Sequence, residues 1–81
     1  MIGETQLRAR RTRLKILRAI AEKNGIAGFS EIRNSTKLST GSIYYHLERM
    51  KNYVIKKSKN YVITEAGLNL LSEAENKMAN E

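Results

Sequence analysis

The chain of 81 residues contains no cysteine and only one histidine, His46. The missing cysteines exclude disulfide bonds and thiolate metal sites, and a single histidine cannot by itself build a zinc site. The sequence also has no phosphate-binding loop and no nucleophile with a positioned base. We therefore predict no metal, no cofactor and no enzymatic activity.

Long apolar runs are missing as well. The segment MIGETQLRARRTRLKIL at the N-terminus contains no run that would serve as a signal peptide, and nowhere do the roughly eighteen consecutive apolar residues of a membrane span occur. We expect a single soluble domain over residues 1–81, cytoplasmic and associated with the nucleoid, with no membrane partner. A domain of this size has a small core.

Positive charge is concentrated in the first two thirds of the chain. The net charge is +7, and residues 1–23 and 24–63 each carry seven Lys or Arg against two Glu. Residues 64–81 carry one Lys against four Glu. This distribution indicates that residues 1–63 meet a polyanion and that the C-terminal segment does not.

Apolar residues at helical spacing predict an amphipathic first helix over roughly residues 6–23. Arg8 and Arg11 fall on a basic face of this helix. The run RARRTR opposes the helix macrodipole, which favours acidic groups at a helix start. Residues 1–12 are therefore either a solvated helix end or a basic arm that grips phosphates or a minor groove.

Two further helices follow the glycines of NGIAG. Ser30 is a plausible N-cap for a short second helix, EIRNST, and Ser39 is a plausible N-cap for a third. Ile43, Leu47 and Met50 give the third helix one buried face. Because the connection between these helices is only a few residues long, the pair is typical of a helix-turn-helix.

The period then changes from helical to strand-like, and the tetrapeptide NYVI occurs twice, around a lysine cluster. We interpret the two copies as the arms of a β-hairpin over residues 53–64. A three-residue loop would pair Ile55 with Tyr61, whereas a two-residue loop would pair Ile55 with Val62. Since a slip of one residue exchanges the two faces, the sequence leaves the register open.

A last helix is predicted over residues 64–81, capped by Thr64. Its apolar stripe either closes the core or forms a helix-to-helix contact in a homodimer. A dimer would place two third helices about 34 Å apart on DNA, roughly one helical turn. The residues predicted for this contact are Leu68, Leu71, Ala74 and Met78.

The order of elements and the stretch GFSEIRNSTKLSTGSIYYHLERMKNYVIKKSKNYVITEAGLNLL resemble the DNA-binding core of the ArsR-like winged-helix regulators of bacteria and archaea. LSTGSIYYHLERM and YVITEAG carry most of the resemblance. It implies a winged helix-turn-helix, mainly α with a small β-hairpin: a three-helix core, a wing and a C-terminal helix. The cysteine-rich sensor motif of the metal-sensing members is absent, so metal sensing is not implied.

The resemblance also implies that the third helix, about residues 40–51, enters the major groove and that the wing lies on the backbone or minor groove. Helical spacing agrees, because Gly41, Ser42, Tyr45 and Arg49 lie away from the buried stripe. Together with Arg8 and Arg11, the residues predicted to contact DNA are Ser39, Thr40, Gly41, Ser42, Tyr44, Tyr45, Arg49, Lys56, Lys57, Lys59 and Asn60.

Two of these assignments have simpler alternatives, and His46, which is not assigned to DNA, has a structural interpretation. The wing lysines would also serve as a solvated hairpin tip. Tyr44 and Tyr45 point about 100° apart on a helix, so we expect one of them to pack and Tyr45 to be exposed. His46 lies at the edge of the apolar stripe, and we predict that it is packed and hydrogen-bonded.

The sequence thus favours a homodimeric, sequence-specific regulator that binds double-stranded DNA. Two alternatives remain: a nonspecific architectural protein that binds nucleic acid, and a winged helix that serves as a protein-interaction module.

Overall fold

A computed structural model describes the backbone of residues 4–79 and the side chains of residues 6–76. Four helices accompany an antiparallel three-stranded sheet with strand order β1-β3-β2. This is an α+β fold compatible with a winged helix, as predicted. The elements are α1 (Glu4–Ala21), β1 (Ile26–Gly28), α2 (Phe29–Thr36), α3 (Thr40–Glu48), β2 (Val54–Lys57), β3 (Asn60–Ile63) and α4 (Glu65–Ala79).

The core lies where α1, α2 and α3 meet the inner face of the sheet. The predicted stripe of the third helix is confirmed, because Ile43, Leu47 and Met50 are buried. Ile16 and Ile20 of α1 are fully enclosed on the opposite side of this cluster. Burial of each such side chain contributes about 1.5–3 kcal/mol, so these few residues supply much of the packing energy of a small domain.

Strand β1 is an element that the sequence did not reveal. It pairs with β3 in the register Ile26↔Val62 and runs directly into α2. The N-cap of α2 is Gly28, whose backbone N–H donates to the Glu31 carboxylate over 2.9 Å. The prediction of Ser30 as N-cap is therefore wrong, because the strand places the helix start two residues earlier.

The turn between α2 and α3 is three residues long. Lys37 ends α2 in the left-handed conformation, with φ 63°, and its N–H donates to the Arg33 carbonyl. Ser39 caps α3 as predicted, since its Oγ accepts from the Ser42 N–H at 3.2 Å. α3 ends at Glu48, earlier than the predicted boundary at residue 51.

The hairpin has a two-residue turn, Ser58 and Lys59. Its register pairs Ile55 with Val62, which selects the second of the two predicted alternatives. Tyr61 is consequently buried, whereas Ile55 is exposed. The two NYVI copies therefore turn opposite faces toward the core, because the register sets Tyr61 on one side of the sheet and Ile55 on the other.

Helix α4 is fixed at its start by Thr64, whose Oγ1 accepts from the Gly67 N–H at 3.1 Å and donates to the Asn52 carbonyl at 2.8 Å. Leu71 and Ala74 are buried, so within this chain they close the core. Leu68 is 48% exposed. The side chain of Met78 lies outside the described residues, and the dimer contact stays a prediction.

Candidate nucleic-acid interface

The first turn of α3 and one of its faces are open to solvent. Thr40 and Gly41 are exposed in the first turn, next to the N-cap Ser39, and Ser42 is partly covered. No atom lies within 4 Å of the position that a Cβ at Gly41 would take. Unpaired backbone N–H groups at a helix N-terminus attract anions. This end of α3 therefore offers a close approach for a phosphate.

Both tyrosines of α3 are exposed, Tyr44 at 52% and Tyr45 at 51%. The predicted exposure of Tyr45 is confirmed, whereas the expected packing of the other tyrosine in the core is wrong, because Tyr44 is equally exposed. Tyr44 stacks on Phe29 with ring centroids 4.6 Å apart, but Phe29 covers only one face of the ring. The Arg49 guanidinium lies 3.7 Å from the centre of the Tyr45 ring and donates to the Tyr45 carbonyl at 3.3 Å. Tyr45 and Arg49 thus form one exposed stacked pair.

The wing presents its cations in two directions. Lys56 pairs with Tyr61, and its Nζ lies 5.9 Å from the centre of that ring. Lys57 pairs with the exposed Asn60, and Lys59 occupies the turn. Residues 52–64 include no acidic side chain. The exposed end of the hairpin is therefore cationic on both faces, while Tyr61 and Ile63 face the core.

A groove of about 520 Å³ separates α3 from β2. Tyr44 and Leu47 line it on the helix side, and Ile55 and Lys56 line it on the wing side. Glu48, an acidic residue at its rim, is paired with Lys51 at 2.9 Å. The groove is thus concave, largely apolar within and flanked by an exposed helix and a cationic hairpin.

Two cations at the turn between α2 and α3 were missed in the sequence. Arg33 and Lys37 are exposed and line a concave surface with Ser39 and Thr40. They are four residues apart, Arg33 in the last turn of α2 and Lys37 at its C-cap, just before the N-terminus of α3. That spacing was the available signal.

The arginines of α1 divide into two groups. Arg8 and Arg11, which were predicted to contact DNA, are exposed on the helix. Neither of these two arginines lies beside α3. The arginine of α1 that contacts α3 is Arg13, which donates its Nε to His46 Nδ1 at 3.3 Å. Arg10 and Arg13 lie at helical spacing from the buried Leu17 and Ile20, but Arg10 is exposed and Arg13 is only partly buried, so the spacing does not specify their neighbours.

His46 is packed and hydrogen-bonded, as predicted, with 8% of its surface exposed. Because Nδ1 accepts from Arg13, the imidazole carries its proton on Nε2. Burial lowers the pKa of His46 below its ordinary value of 6.5, and the Arg13 and Arg49 guanidiniums lower it further. The neutral imidazole is therefore the form that the fold accommodates.

This arrangement predicts a loss of stability in mild acid. Because the pKa of His46 is lower in the folded protein than in the unfolded chain, the unfolded chain binds the proton first as the pH falls below 6.5. As the pH falls below 6.5, the free energy of unfolding should decrease until the pH lies below the pKa of His46 in the folded protein. Urea unfolding at about pH 7.5 and about pH 5.5 measures the difference.

His46→Asn is the control, because its Oδ1 takes the position of the imidazole Nδ1 and accepts from Arg13 but does not titrate. We expect a smaller change in the free energy of unfolding between the two pH values in this variant. An equal change in both proteins would show that His46 is not the source.

Two other kinds of site are not found in the described part of the chain. No group of three His, Cys, Asp or Glu side chains there is arranged to hold a metal ion. None of the helices described is long and apolar enough to cross a bilayer.

Comparison with known protein families gives a match over most of the chain. No curated protein and no solved structure matches the chain significantly. Residues 5–73 match the model of the family described as "Domain of unknown function (DUF7347)", and because this match spans most of the 81 residues, the protein belongs to that family.

Proposed function

We propose that the protein is a sequence-specific transcription regulator that binds double-stranded DNA through α3 and the hairpin wing, in the manner of the ArsR-like regulators it resembles. The observation that carries this proposal is the groove between α3 and β2. An exposed helix face and a hairpin with three lysines flank it, and its acidic rim residue Glu48 is already paired with Lys51. Such a surface suits a sugar-phosphate strand that runs between a helix and a wing.

The cations divide into two roles. Lys56, Lys57 and Lys59 supply phosphate contacts on one side of the groove, and Arg33 and Lys37 supply them near the N-terminus of α3. Contacts of this kind position the protein and give affinity without reading sequence.

The exposed face of α3 is proposed to contact the bases and so to recognise the DNA sequence. Arg49 is suited to the O6 and N7 atoms of guanine. Thr40 and Tyr45 each offer a hydroxyl to a base edge. The stacking of Arg49 on Tyr45 holds the guanidinium in a defined position, which reduces the side-chain entropy lost on binding.

The dimer is also proposed to form through α4. Of the predicted contact residues whose side chains are described, Leu68 is the exposed one, because Leu71 and Ala74 are enclosed. Among the described side chains of the predicted stripe, a homodimer contact would therefore rest on Leu68. Analytical ultracentrifugation of the protein and of Leu68→Glu should show a dimer for the first and a monomer for the second.

Selection of bound duplexes from a random pool tests the proposed function. Enrichment of a palindromic site would support a specific dimer. Binding without enrichment, with affinity that is lost as salt increases, would favour the architectural alternative. No duplex binding at low salt would favour a protein-interaction module.

Gly41→Ala should separate folding from binding. Alanine is favoured over glycine within a helix by about 0.5–1 kcal/mol, and no atom lies where its Cβ would be. We therefore expect a higher Tm but weaker binding to the selected duplex, because the methyl group would stand between the first turn of α3 and a phosphate. Thermal melting and fluorescence anisotropy measure the two effects, and unchanged or tighter duplex binding would contradict the assignment of Gly41.

A further inference from the structure

A second cavity, of about 320 Å³, opens between α1, α4 and the segment that follows α3. Leu14 and Leu70 form part of its lining on the two helices. Met50 and Tyr53 complete the apolar lining from the segment after α3. Cavities of this size, apolar within and with few polar groups, are typical of small-molecule sites.

The charged side chains described in the lining of this cavity are all cationic. Arg10, Arg13 and Arg49 border it, with Gln6 as the further polar residue, and no carboxylate does so among the side chains described. The two ion pairs found in residues 6–76 involve Arg18 and Lys51, and neither of these cations borders the cavity. Three guanidiniums gathered without an acid repel one another, and an anion between them would relieve that repulsion.

The hydrogen bonds leave donors available for such an anion. Arg13 uses its Nε toward His46, and Arg49 uses one Nη toward the Tyr45 carbonyl. The remaining N–H groups of the two guanidiniums have no bond to another described side chain. A carboxylate or sulfonate can therefore bind without breaking either contact.

The charges of the cavity arginines also act on the neighbouring His46. Besides burial, the charges of Arg13 and Arg49 lower its pKa. Two of the three cavity arginines are thus close enough to disfavour a further positive charge next to them.

We propose that this cavity binds a small amphipathic acid, with its anionic group against Arg10, Arg13 and Arg49 and its apolar body against Leu14 and Tyr53. The wing lysines and the first turn of α3, which the proposed duplex contacts, do not border this cavity. A free organic acid, whose apolar body fits the lining, is therefore proposed as the occupant rather than the DNA backbone.

Two residues that border the cavity also contact residues of α3. Arg49 borders the cavity and also stacks on Tyr45, while Arg13 borders it and holds His46. An acid bound to the remaining N–H groups of Arg49 would neutralise the guanidinium that stacks on Tyr45, and would so change the charge that this pair presents on the exposed face of α3. The cavity would thus regulate DNA binding; this coupling rests on the proposed function, whereas the binding of the acid does not.

Two fluorescent probes test the binding. 8-Anilinonaphthalene-1-sulfonate carries a sulfonate, and N-phenyl-1-naphthylamine has the same aromatic body without it. We expect the sulfonate to bind about tenfold more tightly, as a charge-assisted contact allows. Amide shifts in ¹H–¹⁵N spectra should cluster at Leu14, Tyr53 and Leu70. Equal affinities, or shifts confined to the groove between α3 and β2, would overturn the proposal.

Arg10→Gln should remove most of this preference for the sulfonate. Lys15→Gln is the matched control, since it removes the same charge from an exposed position of α1 that does not border this cavity. We expect weaker binding of the sulfonate to Arg10→Gln alone, with amide spectra that confirm both variants are folded. Equal weakening in both variants would show that net charge attracts the probe and would overturn the site.

The regulatory part is tested with the duplex obtained by selection. Saturation with the sulfonate should change duplex affinity by about fivefold or more in the unmodified protein, and less in Arg10→Gln. An unchanged duplex affinity would overturn the coupling while the binding site stands. Absence of duplex binding with or without the sulfonate would overturn the proposed function, and the two-probe result would still decide the site.

Discussion

Duplex binding should weaken about 100-fold at roughly 0.15 M salt when Lys56, Lys57 and Lys59 are replaced together by alanine. Each phosphate contact that is lost reduces the release of counterions, and the slope of log K against log salt should become shallower by about 0.9 per lysine. All three side chains are exposed, and none has an acidic partner within residues 52–64. Fluorescence anisotropy over a series of salt concentrations measures both quantities.

The matched control distinguishes contact from bulk charge. Lys15 and Lys23 are exposed, lie outside the wing and do not border the groove, so Lys15→Ala/Lys23→Ala can be compared with Lys57→Ala/Lys59→Ala. We expect the wing pair to reduce affinity and salt dependence much more than the control pair. Similar losses would mean that the wing makes no particular contact, and an unaffected triple variant would favour a protein-interaction module.

Gly67→Ala should be among the most destabilising single substitutions in the chain. Gly67 is buried in the first turn of α4, and an added Cβ would overlap the Tyr53 carbonyl oxygen and lie 2.7 Å from Ile63 Cγ1. The Tyr53 carbonyl cannot move away freely, because it accepts from the Thr64 N–H at 2.9 Å. Overpacking against backbone should cost about 3 kcal/mol and lower the Tm by more than about 10 °C.

Gly41→Ala is the control for this effect, because it makes the same substitution in a helix where the added Cβ meets no atom. Thermal and urea unfolding of the two variants should give shifts of opposite sign. A Tm for Gly67→Ala at or above that of the unmodified protein would show that α4 does not dock as closely as the structure describes.

The helices and their buried faces could be predicted because their information is local. Ile43, Leu47 and Met50 recur at the helical period, and whichever partner covers them, that face must leave water. The caps at Ser39 and Thr64 were predictable for the same reason, since each hydroxyl acts on a backbone N–H three residues later.

The hairpin shows where local information ends. Both turn lengths satisfy the sequence of the arms, and the choice depends on which face meets α1 and α3. Burial of Tyr61 and Ile63 in the shared core selects the two-residue turn. Strand β1 was missed for a related reason: three residues carry no periodic signal, and Ile26 finds its partner Val62 far along the chain.

By itself, the sequence determined the order of the helices and of the hairpin, the buried faces of the helices and the concentration of positive charge in residues 1–63. Only the tertiary structure determined which cationic side chains lie next to one another. It brings Arg10 and Arg13 of α1 beside Arg49, although more than thirty residues separate them. The physical reason is that an exposed arginine has no local pattern that specifies its neighbours, whereas helix packing around the apolar core sets its position in space.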